Sequence, residues 1–90
     1  MKTIWKFRLT STTICVSMPK GARVLCMQAQ GDVATLWAEV DPEAKREDRY
    51  FRIYGTGHGI AEDESDREYV GTYQLHSGSL VFHVFEIKGA

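Results

Sequence analysis

The sequence predicts an all-β fold: a compact antiparallel β-sandwich or partly open barrel of about seven strands, with at most one short helical turn. Three observations predict it. Apolar residues recur with a period of two along most of the chain, the spacing of strands with one buried face. Clusters of Gly, Pro, Ser, Thr and Asp interrupt that period at short intervals. The connections are short, and a parallel crossover needs about a dozen residues, so most neighbouring strands should be antiparallel. The chain has 90 residues, 43% hydrophobic and 26% charged. That is one domain, residues 1–90, and is too small for a two-domain enzyme, a Rossmann unit or a TIM barrel. No internal repeat, heptad or low-complexity linker is present.

Each element follows in order. Trp5, Phe7 and Leu9 face one side and Lys6 and Arg8 the other, a half-buried strand. Thr10 to Thr13 is a polar turn. Ile14, Val16 and Met18 alternate with Cys15 and Ser17, a second strand placed to pair with the first. Pro19-Lys20-Gly21 ends it, because Pro lacks a ladder donor and Gly tolerates turn dihedrals. Val24, Leu25, Cys26 and Met27 are apolar on both faces, which suggests a central strand over residues 22–30. Gly31-Asp32 reads as a two-residue hairpin connection. Ala34, Leu36, Ala38 and Val40 line one side of the next strand. Asp41-Pro42-Glu43-Ala44 carries an N-cap, a Pro at the first helical position and an acid, the pattern of a single helical turn. Tyr50 to Tyr54 returns to alternation, with Phe51 and Ile53 opposite Tyr50, Arg52 and Tyr54. Residues 55–67 read as loop. Tyr69, Tyr73 and Leu75 share one side of a strand over 68–75. His76-Ser77-Gly78-Ser79 is a tight turn, and Leu80 to Ile87 is the longest β-type run.

Charge and cysteine content narrow the function classes. Eleven Lys and Arg stand against twelve Asp and Glu, a net charge of -1. That balance disfavours binding to duplex nucleic acid, which calls for a basic excess. Lys45, Arg46, Arg49 and Arg52 form a basic stretch, and Glu62, Asp63, Glu64 and Asp66 an acidic loop; both read as solvated surface. Cys15 and Cys26 have no zinc-type spacing, and their apolar surroundings suggest buried thiols, with a bond between them left open. The N-terminus has no apolar signal-peptide region, and no span is long enough to cross a membrane. The expectation is therefore a cytoplasmic protein without metal or cofactor.

The least ordinary stretch is Tyr50-Phe51-Arg52-Ile53-Tyr54-Gly55-Thr56-Gly57-His58-Gly59. Three glycines in five residues let the backbone approach something closely or adopt positive φ. Amides exposed in such a turn can form an anion-binding nest. It is neither a Walker A loop nor a Rossmann fingerprint, lacking the lysine of the first and the helix of the second. Arg52 offers a guanidinium fork, Tyr54 a stacking face, and Thr56, Gly57 and His58 donors, a set suited to a phosphorylated nucleotide. Lys20 and Arg23 are further candidates for phosphates, and Trp5 for the base. The alternative is a tight, bulged connection between strands. His58, His76 and His83 are too scattered to argue for metal. No Ser/His/Asp arrangement can be assembled, so no catalytic residue is assigned. The aromatic set Trp5, Trp37, Tyr50, Tyr54, Tyr69 and Tyr73 exceeds what one small core needs, which points to a subunit interface or stacking pocket and to a homo-oligomer.

The segments Ile4-Trp5-Lys6-Phe7, Met18-Pro19-Lys20-Gly21-Ala22, Leu36-Trp37-Ala38, Phe51-Arg52-Ile53-Tyr54-Gly55-Thr56-Gly57-His58, Gly71-Thr72-Tyr73-Gln74-Leu75 and Leu80-Val81-Phe82-His83-Val84-Phe85-Glu86 give the chain a further trait. Through them it resembles a family of small uncharacterised bacteriophage and prophage proteins. The resemblance covers nearly the whole chain and implies an early or accessory phage protein acting in the host cytoplasm. By analogy with small phage proteins, two modes follow: sequestering a nucleotide defence signal, or binding and inhibiting a host protein. A small structural or assembly role is a third.

Overall fold

A computed structural model describes residues 1–61 and 66–88. Seven strands and one short turn follow in order: β1 (Thr3–Leu9), β2 (Thr13–Pro19), β3 (Arg23–Gln30), β4 (Val33–Val40), β5 (Arg46–Gly55), β6 (Arg67–Leu75), a 3-10 turn (His76–Gly78) and β7 (Leu80–Ile87). They form two sheets, β1-β4-β3 and β2-β5-β7-β6. Every ladder is antiparallel. Two packed sheets rather than a closed barrel result. The edges β3 and β6 lie side by side, close enough that a Cβ on Gly71 would stand 2.9 Å from the Met27 Cγ.

Size complementarity places β1. Trp5 lies opposite Ala38 and Leu9 opposite Ala34, so at these two positions large residues meet small ones across the β1–β4 ladder, while Phe7 packs beside Leu36. β2 therefore does not pair with β1, as the short Thr10–Thr12 link suggested. It crosses to the other sheet, where Ile14 faces Phe51, and the Ile53 amide donates to the Thr12 carbonyl at 2.9 Å. Leu9, Met27, Leu36 and Val40 from one sheet meet Met18, Phe51, Ile53 and Val84 from the other in the core. Each such side chain, fully buried, contributes about 1.5–3 kcal/mol.

Four further expectations are corrected. β3 is an edge strand, and β4 is the centre of its sheet. The two-faced apolar run in β3 arises because the register shifts between Val24 and Cys26, leaving Leu25 and Cys26 exposed. Cys26 faces Trp37 on the outside of one sheet and Cys15 faces Tyr50 on the outside of the other. Both thiols are free and exposed rather than buried. Asp41 starts no helix: its carboxylate accepts the Glu43 amide at 3.0 Å and its carbonyl the Ala44 amide at 3.1 Å, a closed turn that leads straight into β5 at Arg46. Tyr69 and Tyr73 lie on opposite faces, because a bulge at Val70 shifts the β6 register between Tyr69 and Gly71.

Gly31 and Asp32, with φ of 56° and 63°, make the expected two-residue hairpin. The one helical turn falls at His76–Gly78, where Ser77 is left-handed at φ 57°. The basic stretch is not all solvated. Arg49 points between the sheets at one end of the sandwich and is held by both Glu86 carboxylate oxygens and by the Ala22 carbonyl. Of the acidic loop, Glu62, Asp63 and Glu64 lie outside the described residues, and Asp66 is exposed.

Candidate functional site

β5 and β6 both run antiparallel to β7, which lies between them. They are therefore parallel to each other, so the connection between them is a crossover from the Phe82 end of β7, where Gly55 lies, to the Ile87 end, where Arg67 lies. This crossover builds the site. Cross-strand register brings side chains distant in sequence onto the outer face of the four-stranded sheet in two rows. Arg52 lies opposite Phe85, which lies opposite Tyr69; Tyr54 lies opposite His83, which lies opposite Thr72.

Phe85 is the aromatic hub. Tyr54 meets it edge-on at 5.7 Å between centroids and Tyr69 at 5.5 Å. The Arg67 guanidinium sits 5.3 Å from its ring centre, within cation–π range. The crossover begins with a tight turn in which the His58 amide donates to the Gly55 carbonyl at 3.0 Å. Gly57, at φ +86°, occupies the third position, where a type II turn requires a left-handed residue. Gly55 makes room for the His58 ring, since a Cβ there would meet it at 2.7 Å. The Thr56 amide donates to the Val81 carbonyl at 3.1 Å. The Thr56 and His58 amides are thus bound to backbone carbonyls, and Gly55 and Gly57 serve a tight connection.

Between this turn and the sheet lies a cleft of about 280 Å³, walled by Tyr54, Thr56, His58, Ile60, Tyr69 and Phe85, with His83 at its base. His83 is bonded at both nitrogens: Nε2 to the Thr56 hydroxyl at 2.7 Å and Nδ1 to the Thr72 hydroxyl at 2.9 Å. Thr72 continues to the Tyr69 hydroxyl at 2.6 Å, and Thr56 to the Val81 carbonyl at 3.3 Å. With His83 neutral, one proton arrangement satisfies the whole chain. Thr56 donates to the carbonyl and so accepts from Nε2–H; Thr72 donates to Nδ1 and so accepts from Tyr69. This assigns His83 the Nε2–H tautomer and turns a Tyr69 lone pair outward. Tyr69 itself is 57% exposed, so one face of its ring stands open beside the cleft.

Arg52, Tyr54, Thr56, Gly57 and His58 are therefore on or beside one cleft, as their closeness in sequence suggested. Trp5, Lys20 and Arg23 are not among its walls. Trp5 belongs to β1, tilted against Phe7 at 6.5 Å and capped by the Arg46 guanidinium at 5.6 Å. Lys20 is in the turn leading to β3, where its amide donates to the Lys45 carbonyl. Arg23 faces Glu39 at 3.5 Å on the other sheet. Sequence reasoning passed over Thr72, Phe85 and Arg67, named Tyr69 only within the aromatic set for an interface or stacking pocket, and read His83 only as no part of a metal site. The shared parity of His83 and Phe85 on the last strand was the available signal, but only the β5–β7 register joins it to Tyr54. Among the described residues no His, Cys, Asp and Glu cluster could hold a metal ion, and no helix is long and apolar enough to cross a membrane.

No curated protein and no solved structure matches the chain. A family model described as a domain of unknown function, DUF7352, matches residues 1–90, and the chain belongs to that family.

Proposed function

We propose that the protein is a non-enzymatic binding protein for a small phosphorylated planar ligand of nucleotide type, held in the crossover cleft. The observation that carries this reading is the outer-face constellation itself: an exposed Tyr69 ring, a three-ring aromatic cluster and a fully bonded His83, with Arg52 and Arg67 on the same face. A base stacked on Tyr69 gains about 1–3 kcal/mol. Guanidinium forks match phosphate oxygens in geometry and charge. Binding rather than turnover is favoured because each hydroxyl flanking His83 is already engaged, Thr56 with Val81 and Thr72 with Tyr69. At about 280 Å³ the cleft falls just under the ~300–1,000 Å³ of ordinary small-molecule sites. A dinucleotide would need a second copy of the chain to complete its enclosure. In this reading the protein acts in the cytoplasm of a bacterial host, removing a nucleotide signal of phage defence.

Calorimetry against cyclic di- and oligonucleotides, with light scattering for the oligomeric state, tests this. Stoichiometric binding, loss on Tyr69→Ala and recovery of ligand of unchanged mass are expected. Silence from every such compound with folded protein would refute the reading, and a recovered ligand of altered mass would convert it to an enzyme.

A second reading, inhibition of a host protein, draws on a different surface. Ile4, Leu25 and Cys26 are exposed beside Trp37 on the outer face of the three-stranded sheet, around a hollow of about 330 Å³. Affinity capture that depends on Leu25 but not on Tyr69 would favour it.

A further inference from the structure

We propose that β1 takes an added strand from another protein: an extended segment of alternating acidic and apolar residues, paired antiparallel to it. This edge shares no residue with the crossover cleft and does not depend on what that cleft binds.

The two long sides of the sandwich differ. Along one, β3 and β6 pack against each other, and each carries a bulge, at Leu25 and at Val70. Along the other, no comparable packing joins β1 to β2, and the inward-facing Trp5, Phe7, Ile14 and Val16 are only partly buried. The free edge of β2 is blunted. The Ile53 amide bonds to Thr12 and the Lys20 amide to Lys45, which sets the phase of the β2–β5 ladder and turns the backbone of Thr13, Cys15 and Ser17 outward. Of these, the Thr13 carbonyl accepts from the Ser11 hydroxyl at 3.0 Å and the Ser17 carbonyl from the Arg46 guanidinium at 2.9 Å. The strand then ends in Pro19. β1 has no such device. It pairs with β4 over seven residues without a register shift, and among the described residues nothing outside that ladder hydrogen-bonds its backbone.

The hairpin decides which groups β1 offers. A two-residue loop at Gly31–Asp32 makes Gln30 and Val33 exchange both backbone bonds, so the odd residues of β4 bond to β3 and the even ones to β1. Thr3, Trp5, Phe7 and Leu9 are the bonded partners of those even residues. Ile4, Lys6 and Arg8 therefore turn their amides and carbonyls to the open edge. The same alternation sends the Lys6 and Arg8 side chains to the outer face. A strand added here sets apolar residues opposite Trp5 and Phe7, at the mouth between the sheets.

Charge selects the occupant. Lys6 and Arg8 are exposed, and among the described residues neither is ion-paired. Glu39, opposite Ile4, is taken by Arg23 at 3.5 Å. A second copy of β1 does not fit. An antiparallel β1–β1 ladder centred on Trp5 sets Arg8 against Lys2, one centred on Lys6 sets Lys6 against itself, and one centred on Phe7 sets Lys6 against Arg8. Like charges directly opposite destabilise a ladder and unlike charges stabilise it. The edge repels its own kind and matches a strand with acids opposite Lys6 and Arg8.

The test uses the full chain and three blocked peptides of strand length: alternating Glu and Val, alternating Lys and Val, and the Glu–Val composition rearranged into two blocks. Amide NMR reads binding and hydrogen exchange. The alternating Glu–Val peptide should slow exchange at Ile4, Lys6 and Arg8, leave the Gly57 and Ile60 amides unmoved, and bind roughly tenfold more tightly than the Lys–Val peptide. Lys6→Glu combined with Arg8→Glu should reverse that order. Lys6→Pro removes an outward amide that the β1–β4 ladder does not use, so native dispersion should persist while Glu–Val binding is lost. The proposal is overturned if no peptide protects those three amides, or if the Lys–Val or block peptide binds as well as the alternating Glu–Val one. It is equally overturned if the charge reversal leaves the order unchanged, or if the free protein is a dimer with those amides already protected.

Discussion

Removing Glu86 is the sharpest perturbation of this fold. Arg49 and Glu86 form a two-pronged pair inside one end of the sandwich, Nε to Oε2 and Nη2 to Oε1 at 3.0 Å, while Nη1 donates to the Ala22 carbonyl at 2.7 Å. Their side chains are 14% and 7% exposed. Truncating one partner of such a pair costs about 3–5 kcal/mol, because the other charge stays buried. Glu47, 4.0 Å from Arg49, softens the loss, so Glu86→Gln should cost about 3 kcal/mol. Arg49→Met also strands the Ala22 carbonyl and should cost about 4 kcal/mol. The double variant Arg49→Met with Glu86→Leu should cost less than either single change, since it buries no unpaired charge. Urea denaturation reads these values; at a slope of ~1–2 kcal/mol per molar, Glu86→Gln moves the midpoint down by about 1.5–3 M.

Acid adds an independent check. Burial pushes the Glu86 carboxyl up, but hydrogen bonds and charge from Arg49, with help from Lys88, outweigh it and hold the group below its ordinary value of 4.5. A group whose folded value is depressed contributes its full stability above the unfolded value and loses it as pH falls through the folded one. The wild type should therefore lose stability progressively below pH 4.5, and Glu86→Gln should lose less over the same range. A midpoint within about 0.3 M of wild type, or identical acid slopes, would refute the reasoning.

Gly55→Ala should expel the His58 ring, seen as a shift of its imidazole resonances towards free histidine, because the new Cβ would stand 2.7 Å from it. Gly57→Ala should cost about 1 kcal/mol or more in urea midpoint, since φ +86° is strained for any L side chain. His83→Phe removes one of the two hydrogen-bond partners of each of the Thr56 and Thr72 hydroxyls and should cost about 1 kcal/mol, with loss of the downfield hydroxyl protons of the relay as its NMR mark. Both Cys15 and Cys26 are free and exposed, so the native protein should take up two equivalents of a thiol reagent before unfolding, and a slow second equivalent would count against the placement of one of them.

How much of this was written in the sequence depends on the distance over which each feature is decided. The alternation in Trp5–Leu9 and Phe51–Ile53 is local, and it gave the strands and their buried faces correctly. The Gly31–Asp32 hairpin is local too. Partner choice is not. The link Thr10–Thr12 suits either a hairpin or a corner, and only the fit of Trp5 to Ala38 and of Ile14 to Phe51 separates them. Bulges at Leu25 and Val70 shift parity by one, so Cys26 and Tyr69 come out on faces that uninterrupted alternation would not give them. Half of the candidate cleft, from Tyr54 to His58, was visible as a contiguous string. The other half, Tyr69, Thr72, His83 and Phe85, is assembled by ladder register. Arg49 shows the same limit for charge: among Lys45, Arg46 and Arg52 it reads as surface, although it shares the parity of Phe51 and Ile53, and only the β5–β7 register reveals Glu86 as the partner that lets a charge sit on that buried face.

The place of β7 also bears on how the molecule is made. It is the last strand among the described residues and an inner strand of its sheet, with β5 on one side and β6 on the other. While residues 80–87 are still unsynthesised, β6 has no ladder partner in its own sheet and β5 is paired on one side only. The three-stranded sheet, complete by Val40, can close early from nearby pieces. The other can close only around an arriving strand, with long-range pairings that form slowly and leave open edges in the meantime. Nascent chains halted near residue 79 should therefore be the protease-sensitive, aggregation-prone form, and those that include Ile87 the first to resist.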